Sequence, residues 1–165
     1  MAMEITSEGA TETTHELDAP PWLRVETTLM CTARTMREAY DLRLAPLAVN
    51  LTQACIIAYL HDFGPSTQTA LADHLRLGRA AIGSTIDRLQ ERGLLERHPD
   101  AKDRRVWMVA VTTSGSTLAA QVLAIDTVFR AELRAGITRS ERQALASLMT
   151  RLQHNLDTAI AASAP

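Results

Sequence analysis

Apolar residues recur along this chain at steps of three and four in several long stretches and at steps of two in one short stretch. Trp22, Val25, Leu29, Ala33, Met36, Tyr40 and Leu44 mark one face of a long amphipathic helix. Pro20 and Pro21 suit its start. Pro46 ends it, because a proline pushes the residue before it out of the helical conformation. Thr52 is a plausible N-cap for a second helix through Asp62, with Cys55, Ile56, Tyr59 and Leu60 as its apolar positions. Gly64-Pro65 punctuates. Ser66 or Thr67 can cap a short helix ending near Leu75, with Ala70, Leu71 and Leu75 inward. Arg76-Leu77-Gly78 makes a tight connection to a helix from Arg79 to Arg92, anchored by Ile82, Ile86 and Leu89 and stopped by Gly93.

The period then changes. Leu94 to Arg97 and Val106 to Thr112 read as two short strands, the second with Trp107, Val109 and Val111 on one face. The loop between them, from His98 to Arg105, is polar and charged. Thr113 or Ser114 opens a helix to about Ala135 with Leu118, Val122, Ile125, Phe129 and Leu133 on one face, and Gly136 breaks it. Thr138-Arg-Ser-Glu141 is a capping box that opens a last helix lined by Leu145, Leu148, Met149, Leu152 and Leu156. Residues 1–19 hold little to bury and read as a disordered acidic tail. Residues 20–162 then form a single domain of mainly α (α+β) class. Its centre, about 51–113, is a winged helix-turn-helix between long helices at about 20–45 and 114–161.

Composition agrees with a helical body. Of the 165 residues 46% are apolar but only 4% aromatic, so Leu, Ala, Val and Ile must fill the core. No apolar run reaches the roughly 18 residues of a membrane span. The N-terminus lacks the basic-then-apolar order of a secretory signal, so the expected location is cytoplasmic, without a membrane partner. Cys31 and Cys55 fall inside apolar helical patterns and read as reduced, buried thiols.

The net charge of −2 conceals a gradient. Residues 1–20 carry five acids and no Lys or Arg, so the rest of the chain has 17 basic against 14 acidic side chains. His74 to Val109 alone holds eight basic and five acidic residues, a concentrated basic face of the kind that attracts phosphate.

The order helix, short helix, tight turn, helix, Gly, strand, charged loop, strand is that of a DNA reader with a wing. The second helix of a helix-turn-helix lies in the major groove. On the helix from Arg79 to Arg92 the inward anchors leave Arg79, Ala80, Gly83, Ser84 and Asp87 facing elsewhere. The small residues 80, 83 and 84 permit close approach to base edges, and Arg79 can reach a phosphate or a guanine edge. Arg88 joins this face or supports the wing, whose loop supplies Lys102, Arg104 and Arg105. The dull alternative is a solvated charged surface. The five histidines lie on separate elements without metal-ligand spacing. No nucleophile, base and oxyanion arrangement or phosphate-cradling glycine loop is readable, so neither an enzyme nor a cofactor is expected.

The segment from Leu51 to Gly115 resembles the core of MarR-family regulators, the multiple antibiotic resistance regulators. The matching pieces are Leu51-Thr52-Gln53, Leu71-Ala72, Asp87-Arg88-Leu89 with Arg92-Gly93-Leu94, Asp103-Arg104-Arg105, and Val111-Thr112 followed by Gly115. Tyr40 to Leu47 also resembles the end of the family's first helix, and the likeness spans roughly residues 22–160. It implies a homodimer whose outer helices interlock while two winged domains grip a palindromic double-stranded operator. It gives Asp103 the role of orienting wing arginines through an ion pair. It further implies a repressor released by a small, often aromatic, acid bound between the dimer helices and the winged domain. In this chain that cleft is walled by Met30, Arg34, Arg37, Cys55 and Tyr59; the alternative for Arg34 and Arg37 is an exposed helix face. The departures are Gly78, Ala80, Ala81 and Gly83, which bear on the preferred base sequence. Relatives that sense peroxides carry a cysteine at the position of Glu26; Cys31 is five residues too late. A protein-interaction module that has lost DNA binding is the rival reading, and the basic wing argues against it.

Overall fold

The computed structural model describes Pro20 and residues 24–163. The expectations for the tail 1–19 and for Pro21 and Trp22 lie outside the described residues. Residues up to Leu123 form one compact unit and those from Ala124 a second.

In the first unit, α1 (Val25–Leu44) ends in a short 3-10 turn, Ala45–Leu47, with Pro46 in its first turn. Ala48 follows in the left-handed region at φ 54°, and α2 (Leu51–Phe63) starts after it. The N-cap of α2 is Asn50, not Thr52. The Asn50 side chain accepts the Gln53 amide at 2.9 Å and the Gln53 side chain accepts the Asn50 amide at 3.0 Å. A reciprocal box satisfies two orphan amides where a lone Thr52 would satisfy one. The Leu51 amide donates to Asp41 Oδ1 at 2.6 Å, which ties α1 to the start of α2. Ala54, Ile56, Ile57 and Leu60 are buried from α2, whereas Cys55 turns outward between them; Cys31 is exposed on α1. The buried thiols read from the sequence are therefore surface residues of the chain.

Ser66–Thr67 forms a two-residue strand, β1, that the sequence pattern did not reveal. Thr67 does double duty: it pairs with Met108, and its hydroxyl accepts the Ala70 amide at 3.1 Å, capping α3 (Gln68–Leu75). Arg76, in the left-handed conformation, closes α3, and after Leu77 and Gly78 the next helix, α4 (Arg79–Glu91), begins. Ile82, Ile86 and Leu89 are fully buried. Burying each such side chain contributes on the order of 1.5–3 kcal/mol, which fixes the face α4 turns outward. Gly93, at φ 69°, follows the C-cap Arg92 and reverses the chain.

The hairpin β2 (Leu95–Pro99) and β3 (Trp107–Val111) completes an antiparallel sheet of order β1-β3-β2. Leu95 pairs with Val111 and Pro99 with Trp107. Val109 and Ala110 are buried, but Trp107 is 58% exposed. Sequence alternation put it on one face with Val109; in the hairpin it lies at the far end of the ladder, opposite Pro99. The helix α5 (Thr113–Leu133) follows β3 directly, with Leu118, Ala119 and Val122 buried. The Thr112 hydroxyl donates to the Gly93 carbonyl at 2.7 Å and accepts the Gly115 amide at 3.0 Å, so one side chain caps α5 and anchors it to the end of α4.

The second unit holds the end of α5 and α6 (Arg139–Ser163). Thr138 and Glu141 form the capping box read from the sequence: the Thr138 amide donates to Glu141 Oε2 at 2.7 Å and the Glu141 amide to the Thr138 hydroxyl at 3.3 Å. No residue of α6 is buried. Among the described residues no single helix is long and apolar enough to cross a membrane.

Candidate nucleic-acid interface

The turn Arg76–Gly78 joins α3 and α4 as a helix-turn-helix, and the β2–β3 hairpin follows as a wing. Each arginine in this region is either tied into the framework or left to solvent. Arg92 is tied: its Nη1 donates to the Ala48 carbonyl at 2.6 Å and its Nη2 to the Leu47 carbonyl at 3.3 Å. Arg97 is also tied. Its Nη2 lies 2.7 Å from Asp87 Oδ1 and its Nη1 donates to Gln90 Oε1 at 2.7 Å, joining β2 to α4. The helical period places Asp87 away from the inward anchors of α4. Its partner Arg97 lies ten positions on and is brought back only by the turn at Gly93, a relation that no periodicity carries.

Arg79 and Arg88 on α4, and Lys102, Arg104 and Arg105 in the wing, are exposed. Among the described residues none of these five side chains has a hydrogen-bond or ion-pair partner. Ala80 and Ser84 are exposed on the same helix, and the Ser84 hydroxyl is held by the Ala81 carbonyl at 3.1 Å. Gly83 is different. A Cβ built there would come within 2.8 Å of Gln68 Nε2, so its missing side chain makes room for the Gln68 amide of the neighbouring helix.

The wing turn is shaped by two carboxylates. Asp100 Oδ2 accepts the amides of Lys102 and Asp103, each at 3.2 Å. Asp103 Oδ1 accepts the amide of Arg105 at 3.0 Å. Asp103 thus orients Arg105 through its backbone and pairs with no guanidinium among the described residues, which replaces the ion pair implied by the resemblance. A short side-chain acceptor two residues before the amide is the usual Asx geometry.

On α1 and α2, Met30, Arg34 and Cys55 are exposed and Tyr59 is half-buried. The structure joins Arg37 to α2, its Nη1 donating to the Thr52 hydroxyl at 3.3 Å. The Tyr59 ring lies 4.9 Å from that of Phe63 and 5.2 Å from that of His74, tilted against both. No group of three His, Cys, Asp or Glu side chains among the described residues can hold a metal ion.

This architecture, a helix-turn-helix followed by a basic wing, defines the winged-helix class. Residues 49–106 match the model of the MarR family. Solved structures share the fold. The S. aureus MepR–DNA complex superimposes with a TM-score of 0.76 at 19% identity, over 83% of this chain and 99% of that one. A mutant E. coli MarR complexed with operator DNA gives 0.72 at 22%, over 78% and 92%. Bordetella bronchiseptica BpsR, whose DNA binding is regulated by 6-hydroxynicotinic acid, gives 0.75 at 19%, over 82% and 96%. At these identities the likeness establishes the fold. The chain is thus similar to the MarR family over residues 49–106 and shares the fold of these solved regulators.

Proposed function

We propose that the protein is a homodimeric repressor that grips a palindromic double-stranded operator and is released by a small aromatic acid. The observation that carries the DNA-binding geometry is the division of the arginines. Arg92 and Arg97 are consumed by the framework, while Arg79, Arg88, Lys102, Arg104 and Arg105 are left without partners on the reading helix and the wing. Long cationic side chains without partners on adjacent elements suit a phosphate backbone, and a wing arginine suits a narrow minor groove. Arg79, Ala80 and Ser84 then face base edges, Arg88 and Lys102 the backbone, and Asp103 sets the tip that presents Arg104 and Arg105.

The dimer is supported by apolar side chains that the chain leaves uncovered. Leu145, Leu148, Met149, Leu156 and Ile160 are exposed along α6, and Val128 and Leu133 near the end of α5. Exposed apolar side chains in this number call for a second chain. For the inducer, Met30, Arg34, Arg37, Cys55 and Tyr59 combine cations, a ring and apolar atoms on α1 and α2, which suits an aromatic carboxylate. The pyridine acid that regulates the similarly folded BpsR belongs to this chemical class.

Selection of duplexes from a randomised pool by the full chain tests the reading. The expected product is an inverted repeat whose half-sites lie about 10 base pairs, one turn of the helix, or a multiple of that apart. A selected pool with no shared sequence would contradict it. Benzoate- and pyridine-type carboxylates should lower the affinity for the selected duplex, whereas their amides should not.

A further inference from the structure

Gln68 is the first residue of α3, yet its side chain reaches the first turn of α4. Nε2 donates to the Arg79 carbonyl at 3.4 Å. The amide lies over Gly83, where a Cβ would sit 2.8 Å from Nε2, 3.6 Å from Cδ and 3.8 Å from Oε1. Glycine inside a helix is unfavourable relative to alanine, so its presence there needs a reason. The reason on hand is the Gln68 amide, which fills the notch.

A primary amide has two N–H donors and an acceptor oxygen. One N–H is used on Arg79, and the other groups of this amide have no protein partner among the described residues. The side chain is only half-buried, at the seam of the two helices of the helix-turn-helix. In that motif the first helix crosses the sugar-phosphate backbone while the second enters the groove. An amide held at this seam meets the backbone with its rotamer already fixed, so little entropy is lost on contact.

We propose that Gln68 is a DNA-backbone contact. Its second N–H donates to a phosphate oxygen beside each half-site, and Gly83 serves to keep the amide in place. This rests on the DNA-binding geometry proposed above and adds a residue to it. The donor is neutral, so it sets the register of α4 on the duplex without adding to the release of counterions.

The test uses the full chain and the duplex that wild type selects from a randomised pool. Gln68→Ala should lower affinity about five- to tenfold, equally on that duplex and on its single-base variants, with an unchanged salt slope. Gln68→Glu should lose more, because it sets a carboxylate against a phosphate. Gly83→Ala should fold normally, since its methyl displaces only the end of a flexible side chain, and should lose as much as Gln68→Ala. In the Gln68→Ala background Gly83→Ala should add less than about twofold, the non-additivity expected of one shared contact. Binding by Gln68→Ala within about twofold of wild type would overturn the proposal. So would a loss confined to one base pair, or a Gly83→Ala loss that persists in the double variant. Failure of wild type to select any sequence would instead overturn the DNA-binding geometry itself, and is seen before any variant is made.

Discussion

The guanidinium of Arg92, at the C-cap of α4, donates at 2.6 Å to the carbonyl of Ala48, the left-handed residue that joins the first two helices. With the second bond to Leu47, it links segments 44 and 45 positions apart. Hydrogen bonds to charged groups contribute about 1.5–3 kcal/mol, and exposure of this side chain reduces that. Arg92→Ala should therefore lower unfolding stability by about 1 kcal/mol, measured by urea titration. Arg92→Lys should not restore it, because an ammonium cannot fork to two carbonyls as a planar guanidinium does.

Gly115 lies where β3 turns into α5, and a Cβ there would come within 2.1 Å of the Leu94 carbonyl oxygen. That oxygen is backbone, and it accepts the Thr112 amide at 3.1 Å, so it has little freedom to move. Gly115→Ala should destabilise by about 3 kcal/mol, at the upper end of overpacking costs. Gly83→Ala, which meets only a side-chain end, should show no such loss in the same melting experiment.

The Thr138 hydroxyl, and then the Thr138 amide, hold the carboxyl of Glu141 below its ordinary value. A carboxyl depressed in the folded state contributes stability that is present above its unfolded pKa and is lost as pH falls through the folded one. The capping box of α6 should accordingly be intact at neutral pH and weaken as acid is added below about pH 4.5, near the usual range of a glutamate. An NMR titration of the Glu141 carboxyl should give a midpoint below that range, and Thr138→Val should move it upward. An unchanged midpoint would show that the hydroxyl does not hold the carboxylate.

Asp103 acts on the wing through the Arg105 amide, and an amide oxygen can replace a carboxylate oxygen in that bond. Asp103→Asn should bind the selected duplex at least as tightly as wild type, since the turn is kept and a negative charge near phosphate is removed. Asp103→Ala should bind more weakly by roughly 1 kcal/mol, the value of a typical hydrogen bond. Equal tightening in both variants would mean that only the charge of Asp103 matters.

The elements of this chain were legible wherever a local pattern decides them. The triad Ile82, Ile86 and Leu89 fixed the orientation of α4, and Thr138 with Glu141 fixed the start of α6. The sequence reading went astray where a residue's environment comes from elsewhere in the chain. Asn50 outcompetes Thr52 because Gln53 answers it. Trp107 is exposed because its strand runs beyond its neighbours, and Cys55 faces outward because Ala54 and Ile57 define the inner face of α2. Strand β1 is only two residues long and exists because Met108 and Val109 arrive beside it. At the interface the exposed cations were readable as a basic run. Their separation into tied and untied arginines was not, because Ala48 and Asp87 become neighbours of Arg92 and Arg97 only after folding.

In the proposed complex α4 enters the major groove with Ser84 against the base edges. Ser84 is exposed, and among the described residues its hydroxyl bonds only within its own helix, to the Ala81 carbonyl. Ser84→Leu should thus leave the fold and the melting temperature intact while placing a bulky group between helix and bases. Affinity for the selected duplex, measured by fluorescence anisotropy at fixed salt, should fall by roughly 3 kcal/mol, about a hundredfold. Binding to unrelated DNA, carried by the phosphate contacts of Arg88 and the wing, should change far less. If Ser84→Leu bound the selected duplex as tightly as wild type, α4 would not be the reading helix.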